Sequence, residues 1–310
     1  MSDIAALVDA VGGVAHKRQL VALGARDHEL TRAVRNKDVI RVRQGWYSTL
    51  PPTLPELRAV RIGGRLTGIS AIAAAGGWVL DTPTLHVSVP KNAARLRSPV
   101  NRFASFAAAR TRGVRLHWDA PRVGRLGTVM RVGLLDALER VVLDETLEVA
   151  VAALDWALHT RHIDSGDLDT IFDRLPAIKS SLRGWIDPKC ESLPESLART
   201  RLRLRGHHVI SQARVGENQR IDMVVDGVVA LETDGEEHHR DRFHADRAKD
   251  LTMTIHGYHA LRATAVMVFR DWGRVAAAIE SALLGRGVSP PRPLSMVRGR
   301  VPPLTQWVPV

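Results

Sequence analysis

The 310-residue chain contains a single cysteine, Cys190. That excludes an intramolecular disulfide and a cysteine-built zinc site, and points to a reducing, cytoplasmic setting. No apolar run reaches the roughly 20 residues of a membrane helix, because Arg, Asp or Gly breaks each Ala-rich stretch. Met1-Ser2-Asp3 opens without the basic, apolar and cleavage regions of a secretory leader. A soluble cytoplasmic protein with no membrane partner is expected. Acid is also scarce in one stretch: residues 61–135 hold 12 Lys and Arg against 2 Asp and Glu. Most of the formal charge of +11 therefore sits in the first half, and residues 136–285 are slightly acidic. A basic front attached to a near-neutral module suggests a polyanion partner, although an Arg-preferring genome also raises such a count.

The first 50 residues read as three short helices and a basic hairpin. Ile4, Leu7, Val8 and Val11 have helical spacing, and Gly12-Gly13 ends that helix. A second helix runs near Lys17–Leu23. A third follows Asp27, read as its N-cap, with Leu30, Ala33 and Val34 inward and His28, Thr31, Arg32 and Arg35 outward. Residues 39–43, the turn Gln44-Gly45 and Trp46-Tyr47 form the hairpin. This order is that of a winged helix-turn-helix. Arg32, Arg35 and Lys37 would lie at the DNA, with Arg41 and Arg43 on phosphates. The Gly-Gly-Val start, Gln19-Leu20 and the wing Arg41-Val42-Arg43-Gln44-Gly45-Trp46-Tyr47 resemble the N-terminal domain of abortive-infection (AbiEi-type) antitoxins. The resemblance implies binding to double-stranded DNA, transcriptional repression and a cognate toxin. A winged helix that docks proteins is the other reading.

Pro51-Pro52 and Pro55 mark a linker. Residues 56–180 read as a mixed α/β region with strands at residues 85–89 and 114–118 and helices at Leu134–Asp144, Glu145–His159 and Leu168–Leu175. Lys91, Arg95, Arg97, Arg102, Arg110, Arg112 and Arg115 make the strongest basic patch, either a phosphate-binding surface or a solvated loop. Residues 286–310, rich in Pro, Arg and Val, read as an extended or disordered tail.

Residues 186–285 carry the chemistry. The pattern is helix, three strands, helix, strand, helix, so the whole chain is expected to be α/β (α+β). The helices are expected near residues 191–205 and 239–255. The segment from Arg220 to Gly235 reads as a hairpin with Asp222 on one strand and Glu232 and Asp234 on the other. Clustered acids among Val, Ile and Leu repel one another, and a divalent cation is the usual compensation. Side-chain alternation supplies a test. A two-residue Asp226-Gly227 loop would place Asp222 and Glu232 on opposite faces. A three-residue loop, Val225-Asp226-Gly227, would pair residue 224 with 228 and place Asp222, Glu232 and Asp234 on one face. The longer loop, or a bulge of equal effect, is predicted.

Glu195, Arg220-Ile221-Asp222, Leu231-Glu232-Thr233-Asp234-Gly235, His238-His239, Asp246-Arg247, Asp250-Leu251 and Gly257-Tyr258 together resemble the restriction-endonuclease-like, PD-(D/E)XK fold. More narrowly, they resemble proteins related to very-short-patch repair endonucleases. The resemblance implies Mg²⁺ (or Mn²⁺) on Asp222, Glu232 and the Thr233 carbonyl, with Glu195 bound directly or through water. No small-molecule cofactor is implied. Asp234 stands where the motif has lysine, and an acid cannot stabilise developing negative charge. His238 or His239 is the candidate general base. The expected function is a DNA endonuclease or nickase directed by the winged helix. The alternative is a non-catalytic antitoxin-type regulator in which the nuclease-like domain only binds or dimerises.

Overall fold

The structure is a computed structural model, and it describes residues 3–107, 112–120, 122–123, 126–216, 219–234, 243–289, 291 and 293–294. The chain is mixed α/β, and its described residues form three small sheets. It divides into two compact units, residues 1–76 with 81–140, and residues 77–80 with 141–310. The contacts therefore do not divide at residues 51–55 and 181–185, where composition placed boundaries. Residues 141–180 belong with the carboxylate module, and residues 55–76 and 81–140 belong with the N-terminal helices.

In the first unit, α1 (Ile4–Ala10) starts at Asp3, whose side chain accepts from the Ala6 N–H at 3.1 Å. Gly12 and Gly13 turn the chain at φ 94° and 80°. Next come β1 (Val14–His16), α2 (Lys17–Ala22) and α3 (Asp27–Asn36). Asp27 is the first helical residue rather than the cap: Glu29 reaches back to the Arg26 N–H at 2.9 Å and satisfies the helix start. β2 (Ile40–Arg43) and β3 (Trp46–Ser48) complete an antiparallel sheet in the order β1-β3-β2. Ile4, Val8, Leu20, Leu30, Val39 and Tyr47 close one small core. A second core joins Val14 and Val42 to Leu57 and Val60 of α4 (Pro55–Ile62), so the Pro-rich stretch does not separate these elements. β4 (Arg65–Leu66), α5 (Gly68–Ala74), β5 (Leu85–Pro90) and β6 (Val114–Asp119) follow. Their sheet has the order β4-β5-β6, with β5 and β6 parallel. α6 (Leu134–Asp144) carries the chain onward.

The second unit continues with α7 (Leu147–His159), α8 (Ser165–Arg174), a 3₁₀ segment (Ala177–Trp185) and α9 (Leu193–Leu204). β7 (Val209–Val215), β8 (Gln219–Val225) and β9 (Val229–Asp234) form a meander. α10 (Phe243–Ile255) crosses over to β10 (His259–Thr264), which lies parallel to β9. α11 (Ala265–Arg270) and α12 (Trp272–Gly285) close the unit. The sheet order is β10-β9-β8-β7. On one face Met223, Val225, Val229 and Leu231 pack with Leu197 and Leu202 of α9 and Ile279 and Leu283 of α12. On the other, Val224 and Ala230 pack with Met253 of α10. Burial on both faces follows from a strand pair that is apolar at nearly every position.

Candidate functional site

The β8–β9 loop has three residues, displaced by one from the predicted position. Val225 pairs with Val229, Val224 with Ala230 and Met223 with Leu231, leaving Asp226–Val228 in the loop. Asp226 and Gly227 take φ 48° and 71°. Asp226 is tied back to the start of β7: its carboxylate accepts from the His208 N–H at 2.8 Å and lies 2.7 Å from His207 Nδ1. That anchor centres the turn. One step beyond Met223 and Leu231, Asp222 and Glu232 leave toward the same face, as the test requires.

At these two acids the ladder lapses. No backbone pair joins Asp222 to Glu232, nor to Gln212 on β7, although the residues on either side of the Gln212–Asp222 position pair normally. Gln212 has φ 52°. The disturbance changes which face each strand presents: Val209 packs toward α9 and α12, whereas Val215 and Ile221 pack toward α10. Side chains take over the lost pairing. The Asp222 N–H donates to Glu232 Oε1 at 3.1 Å, and the Thr233 N–H donates to Asp222 Oδ2 at 2.8 Å.

Glu195 comes from the first turn of α9, where Ser192 is the N-cap. Its carboxylate accepts from the Ser192 hydroxyl at 2.7 Å, the Glu191 N–H at 3.0 Å and the Gln212 amide at 2.9 Å. Burial pushes Glu195, Asp222 and Glu232 above ordinary carboxylate values, and the Asp222 charge adds to the rise at the other two. Two buried acids and the half-buried Asp222 in one electrostatic neighbourhood favour a cation.

One such cation is a residue that the sequence reading passed over. Lys249 on α10 pairs with Glu232 Oε2. A signal existed: Lys249 stands one helical turn before Met253, whose side chain is fully buried against the sheet, so both occupy one face of the crossover helix. Asp234 is also committed. Arg262, directly across from Glu232 on β10, meets Asp234 at 3.2 Å and Asp250 of α10 at 2.8 Å. His238 and His239 lie outside the described residues, as does Arg110.

The donors are hard oxygen ligands with more negative charge than Lys249 alone offsets, and their chemistry fits Mg²⁺ or Mn²⁺. Among the described residues, Glu195, Asp222 and Glu232 do not form a set of three ligand atoms all within 4.8 Å of one another. Two of them, with Thr233, are joined directly by hydrogen bonds, and Glu195 is held by Glu191, Ser192 and Gln212.

The basic candidates separate into two groups. On α3 and just beyond it, His28, Thr31, Arg35 and Lys37 are exposed and Arg32 is half-buried. Arg41 and Arg95 are exposed. Arg97 is half-buried and donates to the Phe103 carbonyl at 3.2 Å. Arg43, expected on phosphate, turns inward. The β2–β3 register shifts between Arg41 and Arg43, and such a bulge re-aims the side chain that follows. The Arg43 guanidinium instead lies over Gly63, occupying the space a Cβ would need there.

Compared with known proteins, the chain matches no protein-family model and no curated protein.

Proposed function

We propose that the chain is a DNA-binding protein whose second unit cleaves or nicks DNA with Mg²⁺ or Mn²⁺, directed by a winged helix in the first unit. The observation that carries this reading is the constellation at the ladder lapse: Asp222 beside Glu232, with Lys249 delivered from the crossover helix. The motif lysine missing at Asp234 has a substitute of the right chemistry, from a different element. Asp234 itself is neutralised by Arg262 and fixes that strand edge.

Asp222, Glu232 and the Thr233 carbonyl would hold the dication, with Glu195 reaching it through water. When bound, the metal supplies charge compensation for the phosphate and acidifies a water. Glu195 is held by three donors and is suited to orient that water. Lys249 carries the ammonium that answers negative charge developing on the phosphate oxygens. For the first unit, the exposed face of α3 is the candidate for the major groove, with Lys37 and Arg41 for the backbone.

A plasmid-nicking assay with Mg²⁺ or Mn²⁺ tests the chemistry. Asp222→Ala and Glu232→Ala should each abolish detectable product and Lys249→Ala should lower it strongly, and cleavage unchanged in the first two would end the enzyme reading. One observation favours the non-catalytic alternative, since the Lys249–Glu232 pair already neutralises one site acid without metal. In that case the wild type neither nicks DNA nor gains thermal stability from Mg²⁺, yet still shifts duplex DNA in a gel.

A further inference from the structure

A cavity of about 1220 Å³ in the first unit has no part in the reading above. It lies at the carboxyl ends of the parallel strands β5 and β6, where Pro90 pairs with Asp119. That end of a parallel sheet gathers ligands because the chain diverges there and leaves a crevice. The hairpin residues Arg43 and Trp46 form another wall. On the α4–β4 side the wall is packed closely on β5: a Cβ on Gly64 would fall 2.2 Å from the Ser88 carbonyl oxygen.

Two features define what the cavity takes. The first is positive charge. Arg43 makes no hydrogen bond or ion pair among the described residues, and burial together with nearby Arg97 lowers its pKa. Lys91 adds a second cation to the wall. The second is a flat apolar surface, the half-buried indole of Trp46. The Asp119 carboxylate does not compete for the ligand: its Oδ1 accepts from Arg140 at 2.9 Å and its Oδ2 is buried.

We infer that this cavity binds a nucleotide, with its phosphate on Arg43 and Lys91 and its base against Trp46. A bare anion would leave Trp46 uncovered and most of the volume empty; a neutral nucleoside would leave Arg43 unmet. Two of the gripping residues belong to the β2–β3 hairpin, so the ligand would bear on the proposed wing. The inference stands whether or not the second unit cleaves DNA.

Isothermal titration of the full chain with AMP, GMP, adenosine and inorganic phosphate tests it. One saturable site for AMP or GMP is expected, with adenosine and phosphate each at least about tenfold weaker. Arg43→Gln should weaken the nucleotide by about tenfold or more, with a melting temperature near wild type. Lys91 is exposed, so Lys91→Gln leaves folding untouched and should weaken it severalfold even if Arg43→Gln proves unstable. Absence of nucleotide binding at millimolar concentration overturns the inference, as does adenosine or inorganic phosphate binding as well as AMP. If only a short DNA duplex binds, and Arg43→Gln removes that binding, the wall is a DNA contact and the inference fails.

Discussion

The first unit holds 22 Lys and Arg against 10 Asp and Glu; the second holds 22 against 23. Equal numbers of cations face very different numbers of acids. In the second unit, cations meet acids inside the fold: Arg199 with Asp155 at 2.8 Å, Arg201 with Glu148 at 2.6 Å, Arg262 with Asp234 and Asp250, Lys249 with Glu232. In the first, the half-buried Arg65 and the buried Arg61 turn to backbone. Arg65 donates to the carbonyls of Val123, Leu126 and Thr128 at 2.9–3.2 Å, and Arg61 to that of Pro99. Ion pairs occur there too, Arg122 with Asp136 and Glu139 and Arg140 with Asp119, but the acids are too few to match the cations. The positive field of the first unit is therefore available to an outside anion, whereas that of the second is spent on internal pairs around its buried acids.

The comparison breaks most sharply at the acidic site. Asp222→Ala or Glu232→Ala should lower nicking by about a thousandfold or more, and Lys249→Ala by about a hundredfold. Duplex affinity in a gel shift should stay within about twofold of wild type. If affinity falls with activity, the second unit is gripping DNA and the division of labour is wrong.

Next in size is the buried pair. Asp155 also accepts from the Ser196 hydroxyl and the Asp187 N–H, and burial lifts its carboxyl to about 6 even beside Arg199. Asp155→Ala leaves Arg199, 1% exposed, without its acid and should cost about 3–5 kcal/mol by urea denaturation. Asp155→Leu combined with Arg199→Met should cost less than Asp155→Ala alone. An equal or larger cost for the double variant would mean that the pair itself, rather than the unpaired charge, sets the stability.

DNA binding measures the free field of the first unit. Arg35→Gln with Lys37→Gln should weaken duplex binding and reduce the slope of log affinity against log salt by about 2 if both sit on phosphates. An unchanged slope would remove α3 from the interface. These point changes are cleaner than deleting residues 1–50, since Val14 and Val42 share a core with α4.

The smallest effect concerns pH. Asp222 is pushed above its ordinary 3.8, so the folded state holds that proton more tightly than the unfolded one. Its contribution favours folding at low pH and is lost as pH rises from about 4 through the raised value. Asp222→Asn removes that loss while keeping an acceptor for the Thr233 N–H. Its melting temperature should exceed wild type by a few degrees near pH 7.5, with the gap closing toward pH 4. Millimolar Mg²⁺ should stabilise the wild type more than this variant.

Much of this was legible in the chain. Leu134–Asp144 is a helix at the residues its apolar spacing gave, and α9, β8 and β9 lie within a few residues of their expected bounds. The shared face of Asp222 and Glu232 followed from side-chain alternation once a three-residue loop was chosen. The loop's exact place did not, because Asp226 is held by His207 and His208 on another strand. β1 was missed: three residues between a glycine turn and a helix are too few to show alternation. α11 was missed because six residues directly after a strand give no helical period to read.

The sequence by itself determined where acids interrupt apolar strands, which half carries the excess of cations, and the parity of the hairpin. These are local properties, set by composition and by the periods of strand and helix. Only the tertiary structure decided that Lys249, 17 residues along the chain from Glu232, meets it, and that Arg43 points inward while Arg41 does not. The first depends on a crossover helix returning over its sheet, the second on a bulge in strand pairing. Both are fixed by contacts between segments, and no local period encodes those.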